Sequence, residues 1–181
     1  MADDHAAKAI SSYGGGLNDT PNIDRIAHEG VRFDHCYVTN SICTPSRAAI
    51  LTGTYNHVNS VKTLDTHMDN DLPHVAKHLQ TGGYQTAIVG KWHLGEGKLH
   101  QPKGFNFWSV LPGQGEYFDP FMIEMGKERE EFGYVTDIIT SKCINWLNSR
   151  DESKPFFLMC HHKAPHSCLL YTSPSPRDLS T

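Results

Sequence analysis

Phe156-Phe157-Leu158-Met159-Cys160 is a continuous apolar run, followed without a break by His161-His162-Lys163-Ala164-Pro165-His166. Such a run reads as a strand. Imidazoles and an ammonium then sit at its carboxyl end. The same arrangement occurs upstream, where Thr86-Ala87-Ile88-Val89 reads as a short buried strand and leads into Gly90-Lys91-Trp92-His93-Leu94-Gly95. In open α/β sheets ligands bind outside the carboxyl ends of the strands, so two strands delivering Lys and His to one edge point to one site.

Working outward, helical and strand patterns alternate in the α/β manner. Thr20-Pro21 with Ile23, Ile26 and Ala27 predicts an N-cap, a proline in the first turn and an apolar stripe ending at Gly30. Val31, Phe33, His35 and Tyr37 alternate as a strand does. Leu72, Val75, Ala76 and Leu79 form a second helical stripe stopped by Gly82-Gly83, and Val135, Ile138, Ile139, Cys143 and Trp146 form the longest one. Between Gly95 and Gly133, Gly, Pro and aromatic residues mix without a period, which predicts a long surface excursion with short pieces of structure. Trp108, Tyr117 and Phe118 in that stretch either stack on a ligand's rings or close a small local core.

The 181-residue chain, with 38% hydrophobic and 20% charged positions, has the size and composition of one globular domain and is neither collagen-like nor wholly disordered. Its formal net charge is −4 and its 16 Lys and Arg residues are scattered, so nucleic acid is not the expected partner. No apolar run approaches the roughly 20 residues that span a bilayer, and Met1-Ala2-Asp3-Asp4-His5 lacks the regions of a signal peptide. The cysteines, Cys36, Cys43, Cys143, Cys160 and Cys168, form no CxxC pair, which argues against a disulfide scaffold or structural zinc site.

Two further clusters bear chemistry. Asp3-Asp4 is either a solvated turn or, at the end of a strand, a carboxylate pair suited to a hard divalent cation. In Cys43-Thr44-Pro45-Ser46-Arg47-Ala48-Ala49-Ile50-Leu51-Thr52-Gly53, Thr44 and Pro45 predict the cap and first residue of a helix with Ile50 and Leu51 turned inward. Cys43 then lies just before free N–H groups that attract anions, and Arg47 adds a planar donor fork matched to a tetrahedral oxyanion. The alternative is that Cys43 is a small buried hydrophobe.

The frame Cys43-x-Pro45-Ser46-Arg47-x-x-x-Leu51-Thr52-Gly53 resembles the complete signature of the cysteine-type sulfatases, in which that cysteine is oxidised to formylglycine. Further matches stand in family order: Asp3-Asp4, Tyr13-Gly14, Thr20-Pro21-Asn22-Ile23-Asp24, Gly90 to Gly95 and Ala164-Pro165-His166. Within the family, GEYFDP, GYVTDIIT and FFLMCHHKAPH are most similar to bacterial sulfatases acting on N-acetylglucosamine 6-sulfate in glycans.

The resemblance implies an alkaline-phosphatase-like α/β sandwich and Ca²⁺ held by Asp3, Asp4 and the modified Cys43. It implies a sulfated carbohydrate as substrate and a formylglycine-generating or anaerobic sulfatase-maturing enzyme as partner. Hydrated formylglycine at position 43 presents two hydroxyls, one to attack sulfur and one whose deprotonation expels sulfate. The resemblance implies that Arg47 and the cation neutralise the sulfuryl oxygens and that Lys91 bridges sulfate and diol, with His166 the candidate acid for the leaving alcohol and His93 the candidate base. Later metal ligands, a further lysine, a strand before Asp3 and a C-terminal subdomain lie outside the sequence. Residues 1–167 are therefore expected to be part of a larger periplasmic or secreted catalytic domain, inactive alone.

The rival expectations are a phosphohydrolase or phosphomutase of the same superfamily, which ordinarily carries Ser or Thr as nucleophile, and a non-enzymatic carbohydrate- or metal-binding protein. Cys168-Leu-Leu-Tyr-Thr-Ser-Pro-Ser-Pro-Arg-Asp178 can be encoded by a transposon-end and adaptor sequence, so residues 168–181 are expected to be read-through rather than part of the domain.

Overall fold

The computed structural model describes residues 1–167; the expected read-through segment lies outside the described residues. The chain forms two compact units, one of Met1–Asp3 with Thr39 onward and one of Asp4–Val38.

The larger unit is built on a five-stranded mixed sheet in the order β4-β3-β2-β1-β5. Its strands are β1 (Gln85–Lys91), β2 (Phe107–Leu111), β3 (Phe121–Glu124), β4 (Lys127–Glu130) and β5 (Phe156–His161). β1 runs parallel to both β2 and β5, in a register that sets Gly90 opposite His161, while β3 and β4 are antiparallel. Gly90 has φ +105°, and a Cβ there would stand 1.9 Å from the His161 carbonyl oxygen. Only glycine lets the two strand ends approach so closely. The backbone of Met1–Asp3 follows the outer side of β5, with Met1 N donating to Cys160 O (2.7 Å), His162 N to Met1 O (2.9 Å) and Asp3 N to Ala164 O (3.2 Å).

Alternation along β1 and β2 divides the core into two layers. Ile88, Trp108 and Val110 enter one layer with Ala48 and Leu51 of α2 (Cys43–Thr52) and Ala76 of α4 (Val75–Thr81). Val89 and Leu111 enter the other, with Val135, Ile139 and Cys143 of α5 (Val135–Ser149). The sheet is thus flanked by helices on both faces, and each fully buried aliphatic side chain stabilises the sandwich by about 1.5–3 kcal/mol. A short helix, α3 (Asn56–Asn59), packs against α2.

In the smaller unit, α1 (Pro21–Glu29) begins as the Thr20-Pro21 pair predicts. Asp24 ties this unit together: its carboxylate accepts from Ser11 Oγ (2.5 Å), Ser12 N (2.9 Å) and Thr20 Oγ1 (3.0 Å). These bonds hold its pKa below the usual carboxylate value, that from Ser11 foremost. Gly14, at φ +76°, takes the left-handed conformation that ends the Ser11–Tyr13 turn.

Four expectations need correction. Val31–Tyr37 is not a strand: its alternating residues are exposed and find no partner strand among the described residues. The stretch from Gly95 to Gly133 is not a surface excursion, because it contains β2, a buried strand at the middle of the sheet, and Trp108 and Tyr117 are buried at 6% and 1% exposure. Of the two readings of those aromatics, core closure holds for this pair. Ile50 is 52% exposed, since the buried face of α2 runs through Thr44, Pro45, Arg47, Ala48 and Leu51. Finally, α2 begins at Cys43 with Ile42 as N-cap, one residue earlier than expected, so Pro45 falls third in the helix, where its missing N–H is still unneeded.

Candidate active site

The carboxyl ends of β1 and β5 and the first turn of α2 meet at Asp3, which is 7% exposed. Lys91, the last residue of β1, is fully buried, and its ammonium is hydrogen-bonded to the Asp3 carboxylate and, at 2.5 Å, to Gln114 Oε1. Arg47, one turn into α2 and 5% exposed, places Nη2 3.3 Å from the other Asp3 oxygen, while its Nη1 donates to the Lys91 carbonyl at 2.6 Å. Burial alone would raise the Asp3 pKa; the hydrogen bond from Lys91 and the charge of Arg47 outweigh it and hold the carboxyl below its ordinary value. One carboxylate thus faces two cations, and the excess positive charge suits a bound anion.

Cys43, the first residue of α2, is half-buried, and its Sγ, an Asp3 oxygen and a ring nitrogen of His166 all lie within 4.8 Å of one another. His166 arrives on the turn after β5, where its N–H donates to the Lys163 carbonyl (3.1 Å) and its own carbonyl accepts from Tyr117 Oη (2.6 Å). The Ala164–Pro165 peptide in this turn is cis. His93, two residues beyond β1 with φ +54°, has Nδ1 3.3 Å from the Thr44 hydroxyl. Burial, then the charges of Lys91 and Arg47, lower its pKa to about 4, so its ring is neutral at pH 7.

The site therefore brings together Asp3, Cys43, Arg47, Lys91, His93 and His166, all of which the sequence singles out. Asp4, the other expected metal ligand, opens the smaller unit and has φ +59°. Four participants stand outside the named catalytic and metal residues, although the strand-end reading already puts His161 and Lys163 at this edge. Thr44 is the second residue of α2 rather than its cap, and its hydroxyl lies 3.3 Å from His93 Nδ1. His161 is 6% exposed and shares the Lys91 carbonyl with Arg47; burial, followed by the Arg47 charge, lowers its pKa to about 3. Strand alternation from Cys160 could have assigned it to this face. Lys163 is buried with its ammonium 4.6 Å from the centre of the Tyr117 ring, a cation–π contact. Gln114, on the exposed loop after β2, follows no periodic signal.

A thiol and an imidazole beside a single carboxylate are a poor donor set for Ca²⁺, which takes oxygen ligands. Replacing the sulfur at position 43 by oxygen, as in formylglycine, gives two neighbouring oxygen donors in place of one, and the set then fits a hard cation in kind.

The sulfatase family profile matches residues 1–179. An N-acetylglucosamine-6-O-sulfatase of Bacteroides thetaiotaomicron is 50% identical over 99% of this chain and 31% of its own length. The N-acetylglucosamine-6-sulfatase of Capra hircus is 31% identical over 78% of this chain and 29% of its own. A solved complex of a protein with its substrate D-glucosamine-2-N,6-O-disulfate superimposes with a TM-score of 0.89 at 51% identity, over 92% of this chain and 34% of that one. The chain spans about a third of the length of these relatives. With the signature frame on the first turn of α2 and the mixed sheet flanked by helices, these matches establish that the chain belongs to the sulfatase family.

Proposed function

We propose that the protein to which this chain belongs hydrolyses sulfate esters of a glycan, with N-acetylglucosamine 6-sulfate as the substrate, using a nucleophile made from Cys43. The observation that supports this most is the meeting of Cys43, Arg47, Lys91 and His166 around one buried carboxylate, at the edge where two parallel strands end. The sugar assignment rests on the 50% identical relative that bears that activity in its name.

Cys43 reaches its working form through a formylglycine-generating or anaerobic sulfatase-maturing enzyme. Once formed, the hydrated aldehyde supplies the attacking hydroxyl and a geminal one. Asp3 and the oxygen at position 43 would hold Ca²⁺, which supplies charge neutralisation on the sulfuryl oxygens; Asp4 joins the ligand set on the family resemblance alone.

Arg47 and Lys91 carry the positive charge that receives the sulfate, and because both are fixed to Asp3 they need no rearrangement when it arrives. His166, within reach of position 43, protonates the leaving alcohol oxygen. His93, neutral at working pH and oriented by Thr44, accepts the proton whose removal lets sulfate depart.

The test is sulfate release by the full-length, matured protein from 2-O-, 3-O-, 4-O- and 6-O-sulfated monosaccharides. Release chiefly from 6-O-sulfated N-acetylglucosamine is expected. Release chiefly from another position or from galactose derivatives rejects the substrate, and hydrolysis of phosphate esters without sulfate esters rejects the reaction.

A further inference from the structure

Behind the active site, on the α5 side of the sheet, lies a second pair of reactive groups. Cys143 projects from α5 into the second core layer, 5% exposed, and Cys160 projects from β5 into the same layer beside it. Alternation along β5 turns Cys160 and His162 to this side and His161 to the opposite side, where it meets Arg47. Both side chains pack in this one layer, and Cys160 Sγ lies 3.5 Å from His162 Nε2. Neither sulfur is in a disulfide, and neither belongs to the sulfate-binding cluster. Spacing hides the pair, since 16 residues lie between the two cysteines and only the packing of α5 on β5 joins them.

We propose that Cys143 and Cys160 are an oxidisable dithiol, a modification site that closes to an intramolecular disulfide by exchange with a small-molecule disulfide such as oxidised glutathione. Cys160 is the attacking group: it is the less buried of the two, and His162 Nε2 stands 3.5 Å from its sulfur. Its sulfur attacks one glutathione sulfur, the glutathione S–S bond breaks, and one glutathione thiolate leaves. The Cys143 thiol then loses its proton and attacks Cys160 Sγ, forming the Cys143–Cys160 bond and expelling the second glutathione thiolate. Two protein thiols are oxidised, one glutathione disulfide is reduced to two thiols, and the departing thiolates take up the two protons. Cys143 is the resolving thiol because, at 5% exposure, it is the more deeply buried and meets the incoming sulfur only through Cys160.

The experiment incubates the folded protein with a graded series of reduced and oxidised glutathione, quenches it in acid, unfolds it, alkylates the remaining thiols and maps the tryptic peptides by mass spectrometry. The expected result is a cross-link between the peptides spanning residues 143–150 and 151–163, with alkylation of both thiols falling at least about ten-fold at the oxidising end. Cys143→Ser should trap one glutathione on Cys160, and Cys160→Ser should leave Cys143 a free thiol throughout. Unchanged alkylation of both wild-type thiols, a stable glutathione adduct on wild-type Cys160, or a cross-link from either cysteine to Cys36 or Cys43 would each overturn the proposal.

Discussion

Replacing Lys91 by Met removes a fully buried ammonium from the Asp3 carboxylate, whose side chain is only 8% exposed. Breaking one partner of such a pair costs about 3–5 kcal/mol, because the remaining charge has no water to turn to. The cost of Lys91→Met should sit near the lower end, since Arg47 still faces Asp3 at 3.3 Å. Asp3→Asn should cost more, toward about 5 kcal/mol, because it leaves Lys91 and Arg47 buried together without their shared anion. The double variant removes a cation and the anion at once and leaves a single buried charge, so its cost should fall short of the sum by at least about 1.5 kcal/mol. Urea unfolding of the four proteins at pH 7, with a common slope, gives the coupling directly. Additivity within about 0.5 kcal/mol, or a milder effect for Asp3→Asn than for Lys91→Met, would refute the claim that this triad knits the site together.

Acid should weaken the fold. His74 and His161, 1% and 6% exposed, have folded-state pKa values lowered to about 4 and about 3, mainly by burial, so the unfolded chain binds more protons below pH 6.5. Stability is then fully present above about pH 6.5 and falls toward pH 4, by up to about 1.4 kcal/mol per pH unit for each residue; a denaturation midpoint that stays flat from pH 7 to 4.5 contradicts this. Trp108→Ala should cost about 3–5 kcal/mol in unfolding experiments and leave the ranking among sulfated sugars unchanged, because the ring fills the core; a changed ranking with intact stability would return it to the ligand. Tyr117→Phe removes the 2.6 Å bond to the His166 carbonyl and should lower stability by about 1 kcal/mol and turnover more than substrate affinity, readable as a kcat loss at nearly constant KM. For the terminal segment, resequencing of the source locus should show no natural coding for residues 168–181; recovery of that stretch in genomic context would remove the read-through reading.

The sandwich was legible where local pattern and final environment agree. β1, β5 and α5 follow from apolar runs and a helical stripe; β1 is buried as its residues demand, whereas β5, at the end of the sheet order, leaves Phe156 exposed and Phe157 to Cys160 half-buried. Phe107-Trp108-Ser109-Val110-Leu111 carried the same signal between Gly104 and Pro112, but the aperiodic stretch around it masked a central strand. Val31–Tyr37 shows the converse: alternation fits a strand, yet pairing is supplied only by a neighbour that the folded chain does not bring. In the site, the signature frame marked Cys43 and Arg47, and strand ends marked Lys91, His93 and His166. Thr44 and Gln114 were illegible because their roles arise from tertiary placement, a hydroxyl turned to His93 and a loop amide reaching Lys91. Asp3 was legible as a carboxylate but not as the anchor of two buried cations.

Turnover set against maturation tests the central claim most directly. The full-length protein, produced with and without a formylglycine-generating enzyme, is digested, and the peptide 33–47 is weighed for an aldehyde in place of the Cys43 thiol while sulfate release from 6-O-sulfated N-acetylglucosamine is measured on the same samples. Activity should rise in proportion to the converted fraction and vanish in Cys43→Ala. Equal sulfate release from the unconverted thiol form, or full conversion without hydrolysis of any sulfate ester, would contradict the account.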